Sequence, residues 1–433
     1  MPPPLFSKHR MLTTVAVAAA TTTAFLKTVF SSSTDSEAED TIKVVRAVVL
    51  FRHGDRSPIH PPDNHVLPSS RHQEEAAFWT SKLPTRADCS DWLSNHPISS
   101  PTQERIDVGS RPWGQLTQVG AYQARDLGKF LRERLIDQHG ILPAKLNNKT
   151  VRAHSTSIYR SQHTLQNVLI GLYGKGDRPT CTGTNNRAES QIKIHVTSNP
   201  DQQEYHYSPD RNRCLHLAKL HHVLTHPSTM DPMFTATERA VLLKLHALFQ
   251  YGDQKFATTR VRSTLVCHRS HGHPLPVDVL PSDVRALISA NSKMEYKKYS
   301  NVNYFKLAVG RLVPRILHGL DDGSGAVKLT LFSGHDSTIK PLTVMLGLDA
   351  MDNWPPYCAN ILIEYGESVV DGGSGHIRIL YNQTLTPIIG LKCDGNGWVL
   401  KSDFERYMRR FGISDFEHTF LCAGNQFDPS KEL

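Results

Sequence analysis

Arg52, His53 and Arg56 bring one imidazole and two guanidinium groups within five residues, in the stretch Phe51-Arg52-His53-Gly54-Asp55-Arg56-Ser57-Pro58. Each guanidinium offers a planar fork of donors that can bind two phosphate oxygens at once. A neutral imidazole can attack phosphorus and carry the phosphoryl group as a phosphohistidine. Fixed positive charge beside such a nucleophile suits an anionic substrate, above all a phosphate. The competing reading is a basic surface turn after an edge strand; Arg56 and Pro58 at their spacings weigh against it. A second pair, His335-Asp336, lies far downstream. Alone it would pass for a surface turn, but it stands where an apolar run gives way to a helical one, the same local context as the first loop.

Ligand sites of open α/β sheets gather just beyond the carboxyl ends of strands, so two such loops can converge on one pocket. Residues 42–51 are almost continuously apolar, as in a strand buried on both faces. Residues 60–115 are rich in Pro, Ser, His and Asp without periodicity and read as a long loop region over the site. A helix is predicted over 116–139, capped by Thr117, with Leu127, Leu131 and Leu135 on one face and Gly140 at its end. A second covers 156–173 and stops at Gly174. Residues 175–300 are polar and His-rich, with short helical stretches such as 235–250, and read as a mostly helical insertion rather than more sheet. The α/β pattern then resumes. A helix over 304–320 is interrupted by Pro314, and a strand over 326–332 ends at Ser333-Gly334-His335-Asp336. The next helix starts near Ser337, takes Pro341 in its first turn and closes at Gly347. Strands over 361–365 and 377–381 and a terminal helix over 402–411 complete the expectation.

The chain has 433 residues, 39% of them hydrophobic, which is enough for a real core. Its formal charge of +8 favours anionic partners, but the charges are interspersed, so nucleic-acid binding is not expected. Seven scattered cysteines without a Cys-x-x-Cys argue against a zinc ribbon or dithiol redox site. Lys8, His9 and Arg10 precede an apolar, small-residue run and a Ser/Thr/acidic spacer, so residues 1–40 have the layout of a secretory signal or signal anchor. A mitochondrial transit peptide is the alternative, since residues 1–30 are basic and lack acids. The sequons at Asn148 and Asn382 are compatible with secretory entry.

The loop at 52–58 with the late His335-Asp336 resembles the histidine acid phosphatase family, branch 2 of the histidine phosphatase superfamily. The likeness covers most of 44–170 and 300–422. It includes Gly114-Gln115-Leu116-Thr117-Gln118-Val119-Gly120, Ser155-Thr156-Ser157-Ile158-Tyr159-Arg160 and Pro355-Pro356-Tyr357. The resemblance implies an α/β fold, phosphoglycerate-mutase-like, with a central mixed β-sheet and helices on both faces. Its catalytic domain would be built from 41–174 and 301–433, and a helical cap from 175–300 would set specificity. It further implies a metal-independent acid phosphatase without cofactor, acting on small phosphate monoesters. In it His53 is the nucleophile, Asp336 the general acid, and Arg52, Arg56, Arg160 and His335 bind phosphate. The Arg that usually precedes the Ser-Thr-x-x-x-Arg segment is His154 here. Cysteine positions carry over in part: Cys214 with Cys422 looks like a family disulfide, and Cys267 with Cys358 is a weaker candidate. Residues 353–357 and 307–310 are similar to lysophosphatidic acid phosphatases. Tyr173-Gly174 and 376–382 are similar to 2-phosphoxylose phosphatase, a Golgi type, so a lysophospholipid and a sugar phosphate are both candidate substrates. Two rivals are a phosphate-binding module without chemistry, which predicts loss of His53 or Asp336, and a mutase-like transferase, which shares Arg-His-Gly but is not expected to carry the long insertion.

Overall fold

Alternate residues of β1 (Ile42–Arg52) feed two cores. Val48 and Leu50 join one, with Phe305, Ile316, Ile339 and Phe404. Ala47, Val49 and Phe51 join the other, with Leu127, Leu131, Leu165 and Leu169. A strand apolar at every position is stable only between two packed layers. Each large apolar side chain buried there contributes about 1.5–3 kcal/mol. In this computed structural model β1 therefore lies mid-sheet, parallel to β5 (Leu329–Gly334) and antiparallel to β6 (Asn360–Ser368). The description covers residues 42–60, 72–99, 112–174, 192–196, 211–249, 258–276, 278–321, 323, 325–370 and 373–423.

The remaining strands are β2 (Ile98–Ser99), β3 (Val151–Ser155), β4 (Ile194–Val196), β7 (Gly375–Tyr381), β8 (Thr384–Leu385) and β9 (Val399–Leu400). The sheet runs β2-β4-β3-β5-β1-β6-β7-β8, with β9 also beside β7. Pairing from β2 to β1 is parallel and from β1 onward antiparallel, which makes the sheet mixed. Before β3 come α1 (His72–Lys82), α2 (Arg86–Asn95) and α3 (Gln118–Arg132); α4 (Tyr159–Tyr173) follows it. Thr117 caps α3 by accepting from the Gly120 N–H, and α4 ends at Gly174 with a φ of 81°. Gly128 and Gly171 let the backbones of α3 and α4 touch, because a Cβ on either would overlap the other helix.

Between β4 and β5 stand α5 (Leu215–Leu224), α6 (Pro227–Met230), α7 (Ala236–Phe249), α8 (Thr258–Ser270), α9 (Pro281–Tyr299), α10 (Val302–Val309) and α11 (Leu312–Leu320). Of these, α7, α8 and α9 share their own apolar cluster around Leu245, Leu265 and Leu287. The chain closes with α12 (Asp336–Leu346), α13 (Lys401–Arg409) and α14 (Asp415–Cys422). The described residues form one compact unit. No helix among the described residues is long and apolar enough to cross a membrane. The N-terminal segment 1–40 and Cys181 lie outside them.

Several expectations change. The stretch read as loop holds α1 and α2; α1 escaped because it buries Glu75 and Trp79 rather than an apolar stripe. Residues 194–196, inside the presumed helical insertion, form β4, with Ile194 and Val196 buried and His195 turned out. The helix expected over 304–320 is two helices, broken before Pro314 at Gly310. Pro341 sits in the interior of α12 rather than its first turn.

Candidate active site

The loop after β1 is held by backbone contacts that leave no room for side chains. A Cβ on Gly54 would overlap the Gly120 carbonyl, and one on Gly120 would overlap Asp55. Gly54 N–H donates to Thr164 Oγ1 at 3.0 Å, and Asp55 N–H donates to Gln123 Oε1 at 2.8 Å. The His53 N–H donates to the Gly334 carbonyl at 3.0 Å, and Cys358 N–H donates to the His53 carbonyl. Both strands thus end against the same loop. The His53 ring is oriented in turn: Nδ1 lies 2.8 Å from the Gly54 carbonyl oxygen. A carbonyl only accepts, so Nδ1 carries the proton and Nε2 keeps its lone pair.

His53 opens into a cavity of about 260 Å³ shared with Arg56, Thr156, Arg160, Arg262, His335 and Asp336. Arg56 Nη1 donates to Ser57 O at 3.0 Å and to Ser263 Oγ at 3.1 Å. Arg160 lies in the first turn of α4, and Asp336 opens α12, so two helix N-termini face the cavity. Such ends favour anions through their unpaired N–H groups and dipoles. His335 Nε2 meets Thr156 Oγ1 at 3.1 Å, and Asp336 Oδ1 accepts from Ser337 N–H at 2.9 Å. Arg52 lies one step back. It donates to Pro355 O at 2.7 Å, reaches Asp336 Oδ2 at 3.3 Å and stacks on Tyr357. It lines a second cavity of about 240 Å³ with Trp354, Pro355, Pro356, Tyr357, Val266 and Ile288. The two cavities share Arg56, Arg262, Ser263 and Asp336. Four arginines therefore surround one carboxylate.

Charge and burial set the protonation states. Burial, then the charges of Arg160, Arg52 and Arg56, hold His53 well below its ordinary value. Burial and Arg160 push His335 down to about 3. Both rings are neutral at mildly acidic pH. Burial alone would raise the Asp336 carboxyl, but Arg52, Arg262 and Arg56 override it and keep the free site's carboxylate ionised. Burial and Arg56 lower Arg160 to about 9, still a cation below neutrality.

Arg262 is the member that the sequence did not point to. It sits on α8, in the stretch read as insertion, with Nη2 3.6 Å from Asp336 Oδ2 and its guanidinium 3.4 Å above the Trp354 ring. No local motif marks it, since its role depends on the approach of two distant segments. Among the cysteines, Cys214 and Cys422 are bonded. The Cys267–Cys358 pairing is not formed: both are buried free thiols. The Cys267 sulfur faces Tyr357 Oη at 3.5 Å and Arg56 Nη1 at 3.6 Å instead. Burial pushes the Cys358 thiol up to about 12.

A Histidine phosphatase superfamily (branch 2) profile matches residues 43–265, more than half of the chain. The chain belongs to that superfamily. It is similar to Counting factor 60 of Dictyostelium discoideum, 25% identical over 75% of this chain and 76% of that protein. Lysophosphatidic acid phosphatase type 6 of Bos taurus is 24% identical over 73% of this chain and 72% of its own. For 2-phosphoxylose phosphatase 1 of Xenopus tropicalis the figures are 22%, 81% and 70%. In fold the chain is similar to a Hafnia alvei phytase solved with tartrate, at a TM-score of 0.57 and 16% identity, covering 87% of this chain and 98% of the phytase. The protein is a phosphoric monoester hydrolase of the acid phosphatase type, working through a phosphohistidine.

Proposed function

We propose that His53 is the nucleophile, Asp336 the general acid, and Arg56, Arg160, Arg262 and His335 the groups that hold the phosphoryl oxygens, with Arg52 steering Asp336. The oriented, neutral His53 ring at the floor of an arginine-lined cavity carries this reading. His53 Nε2 attacks phosphorus as the ester P–O bond breaks, and the arginines offset the charge on the transferring group. The departing alkoxide takes a proton from Asp336. Substrate phosphate in the cavity neutralises the arginines that keep Asp336 ionised, so its carboxyl rises into the range where it holds that proton. Water then attacks the phosphohistidine and returns a proton to Asp336, releasing phosphate. His53→Ala abolishes turnover of p-nitrophenyl phosphate below pH 6; wild-type rates in that variant overturn the assignment. Asp336→Asn slows alkyl phosphates far more than nitrophenyl phosphate, and equal losses on both count against an acid at that position.

For the alcohol side, the second cavity supports a lysophosphatidate-class substrate. Val266, Ile288, Trp354, Pro355 and Tyr357 give it an apolar wall directly beside Asp336, where the leaving group must lie. A sugar phosphate is the second reading, and an inositol polyphosphate would need further cations there. Comparing kcat/KM on lysophosphatidate, a phosphorylated xyloside, phosphotyrosine and phytate tests it, with lysophosphatidate expected highest and a xyloside preference sinking it. The Cys214–Cys422 bond suits an oxidising compartment, which favours the secretory reading of residues 1–40, cleaved or kept as a membrane anchor. Fractionation of cells expressing the full chain tests this by placing activity in secretory membranes or medium rather than mitochondria.

A further inference from the structure

His268, in the last turn of α8, clusters with His271 and His273 just past it, yet none of them lines the cavity that holds His53. His268 is buried, and its Nδ1 lies 2.8 Å from the Pro274 carbonyl oxygen. That carbonyl holds the proton on Nδ1, so in the neutral ring the lone pair is on Nε2. This nitrogen lies 2.9 Å from Glu75 Oε1. His273 Nε2 lies 2.5 Å from the other oxygen, Glu75 Oε2. The three donor atoms fall within 4.8 Å of one another. Glu75 is itself buried on α1 and accepts a bond from Trp79 Nε1 at 2.6 Å. The His273 ring is stacked on Phe78, which restrains its turning.

A ring whose far nitrogen is tied to a backbone carbonyl, and whose near nitrogen stands beside a carboxylate and a second imidazole, has the surroundings of a metal ligand and its supporting contact. We propose that Glu75, His268 and His273 bind one divalent d-block cation of the zinc class, with water as fourth ligand. Two imidazoles and a carboxylate suit zinc in hardness and number. Tetrahedral binding at about 2.1 Å sets donors about 3.4 Å apart, so the two nitrogen–carboxylate distances need to open by less than about 1 Å. The site would join α1 to the end of α8. It is structural rather than catalytic: between the two histidines His271 Nε2 reaches Asp55 Oδ1 at 2.6 Å, so the metal steadies the segment that braces the nucleophile loop.

The test uses the intact protein, stripped with chelator and titrated at pH 7.5 with Zn²⁺ by calorimetry and with Co²⁺ by visible absorption. One equivalent binds, Co²⁺ gives the intense d–d bands of a tetrahedral site, and Zn²⁺ raises the melting temperature. His273→Asn and Glu75→Gln lose the tight site, whereas His53→Ala keeps it, which separates it from binding at the catalytic histidine. Circular dichroism confirms that each variant is folded; His268→Gln serves in place of one that is not. Absence of stoichiometric binding to the wild type, or the same affinity in a folded His273→Asn, overturns the proposal.

Discussion

His53 and Asp336 have opposite titration problems in the same field of positive charge. Burial, then the charges of Arg160, Arg52 and Arg56, keeps His53 unprotonated, so its nucleophilic form persists below its ordinary range. The acid limb of kcat/KM on p-nitrophenyl phosphate should therefore lie well below pH 6.5, and a fall centred near 6.5 would show that the ring is not so held. Arg262 contributes to this field from α8. Arg262→Ala should lower kcat/KM by about 100-fold, the usual loss for one donor to a transferring group, with p-nitrophenyl phosphate kinetics as the measure. Unchanged kinetics would remove Arg262 from the site. Arg52, His53, Arg56, His335 and Asp336 could be named from their local sequence, and Arg160 from the family resemblance; the structure puts Arg160 and Asp336 in the first turns of α4 and α12. Arg262 could not be named, because its surroundings are made by tertiary approach. Arg52 was named among the site residues from its loop, but its place behind Asp336 depends on Pro355 and Tyr357 arriving from another segment.

At the level of elements, β6 and β7 bury a polar knot opposite the end of α3. Glu364 is fully buried and accepts from Arg134 and Arg378. Burial would raise its carboxyl, but the hydrogen bond and charge of Arg134 and then the charge of Arg378 lower it. A carboxyl with a lowered folded pKa adds stability that is present above its unfolded value and lost as pH falls through the folded one. Urea midpoints should therefore drop below about pH 4.5 in the wild type, with a shallower drop in Glu364→Gln. That variant, which takes the carboxylate charge away from the partly buried Arg134 and the buried Arg378, should lose about 3–5 kcal/mol. Strands such as β1 and helices such as α3 and α4 were readable because apolar periodicity reports packing directly. Strand β4 was also within reach, since Ile192, Ile194 and Val196 alternate with polar residues, but five residues between polar stretches carry little weight. Helix α1 was beyond reach. Its buried Glu75 meets histidines, a contact that hydropathy cannot register.

For the molecule as a whole, the Cys214–Cys422 bond ties the start of α5 to the end of α14 across a separation of 208 residues. Chain-entropy reasoning gives closure of such a loop up to about 5 kcal/mol. Cys422→Ser should lower the denaturation free energy toward that amount without changing KM, and an unchanged midpoint would mean that the bond constrains little. The central position of β1 has a kinetic side as well. Val48 pairs with Thr330 on one side and Ile363 on the other. At translation speeds of about 5–20 residues per second, the ribosome needs on the order of 15–60 s to supply both neighbours after making Val48. Until then a strand with two apolar faces and two open edges has nothing to pair with, and long-range closure is slow. Nascent chains should therefore engage holding chaperones early and release them only after β6 has emerged. Slowing elongation between β1 and β5 should lower the yield of active enzyme rather than raise it.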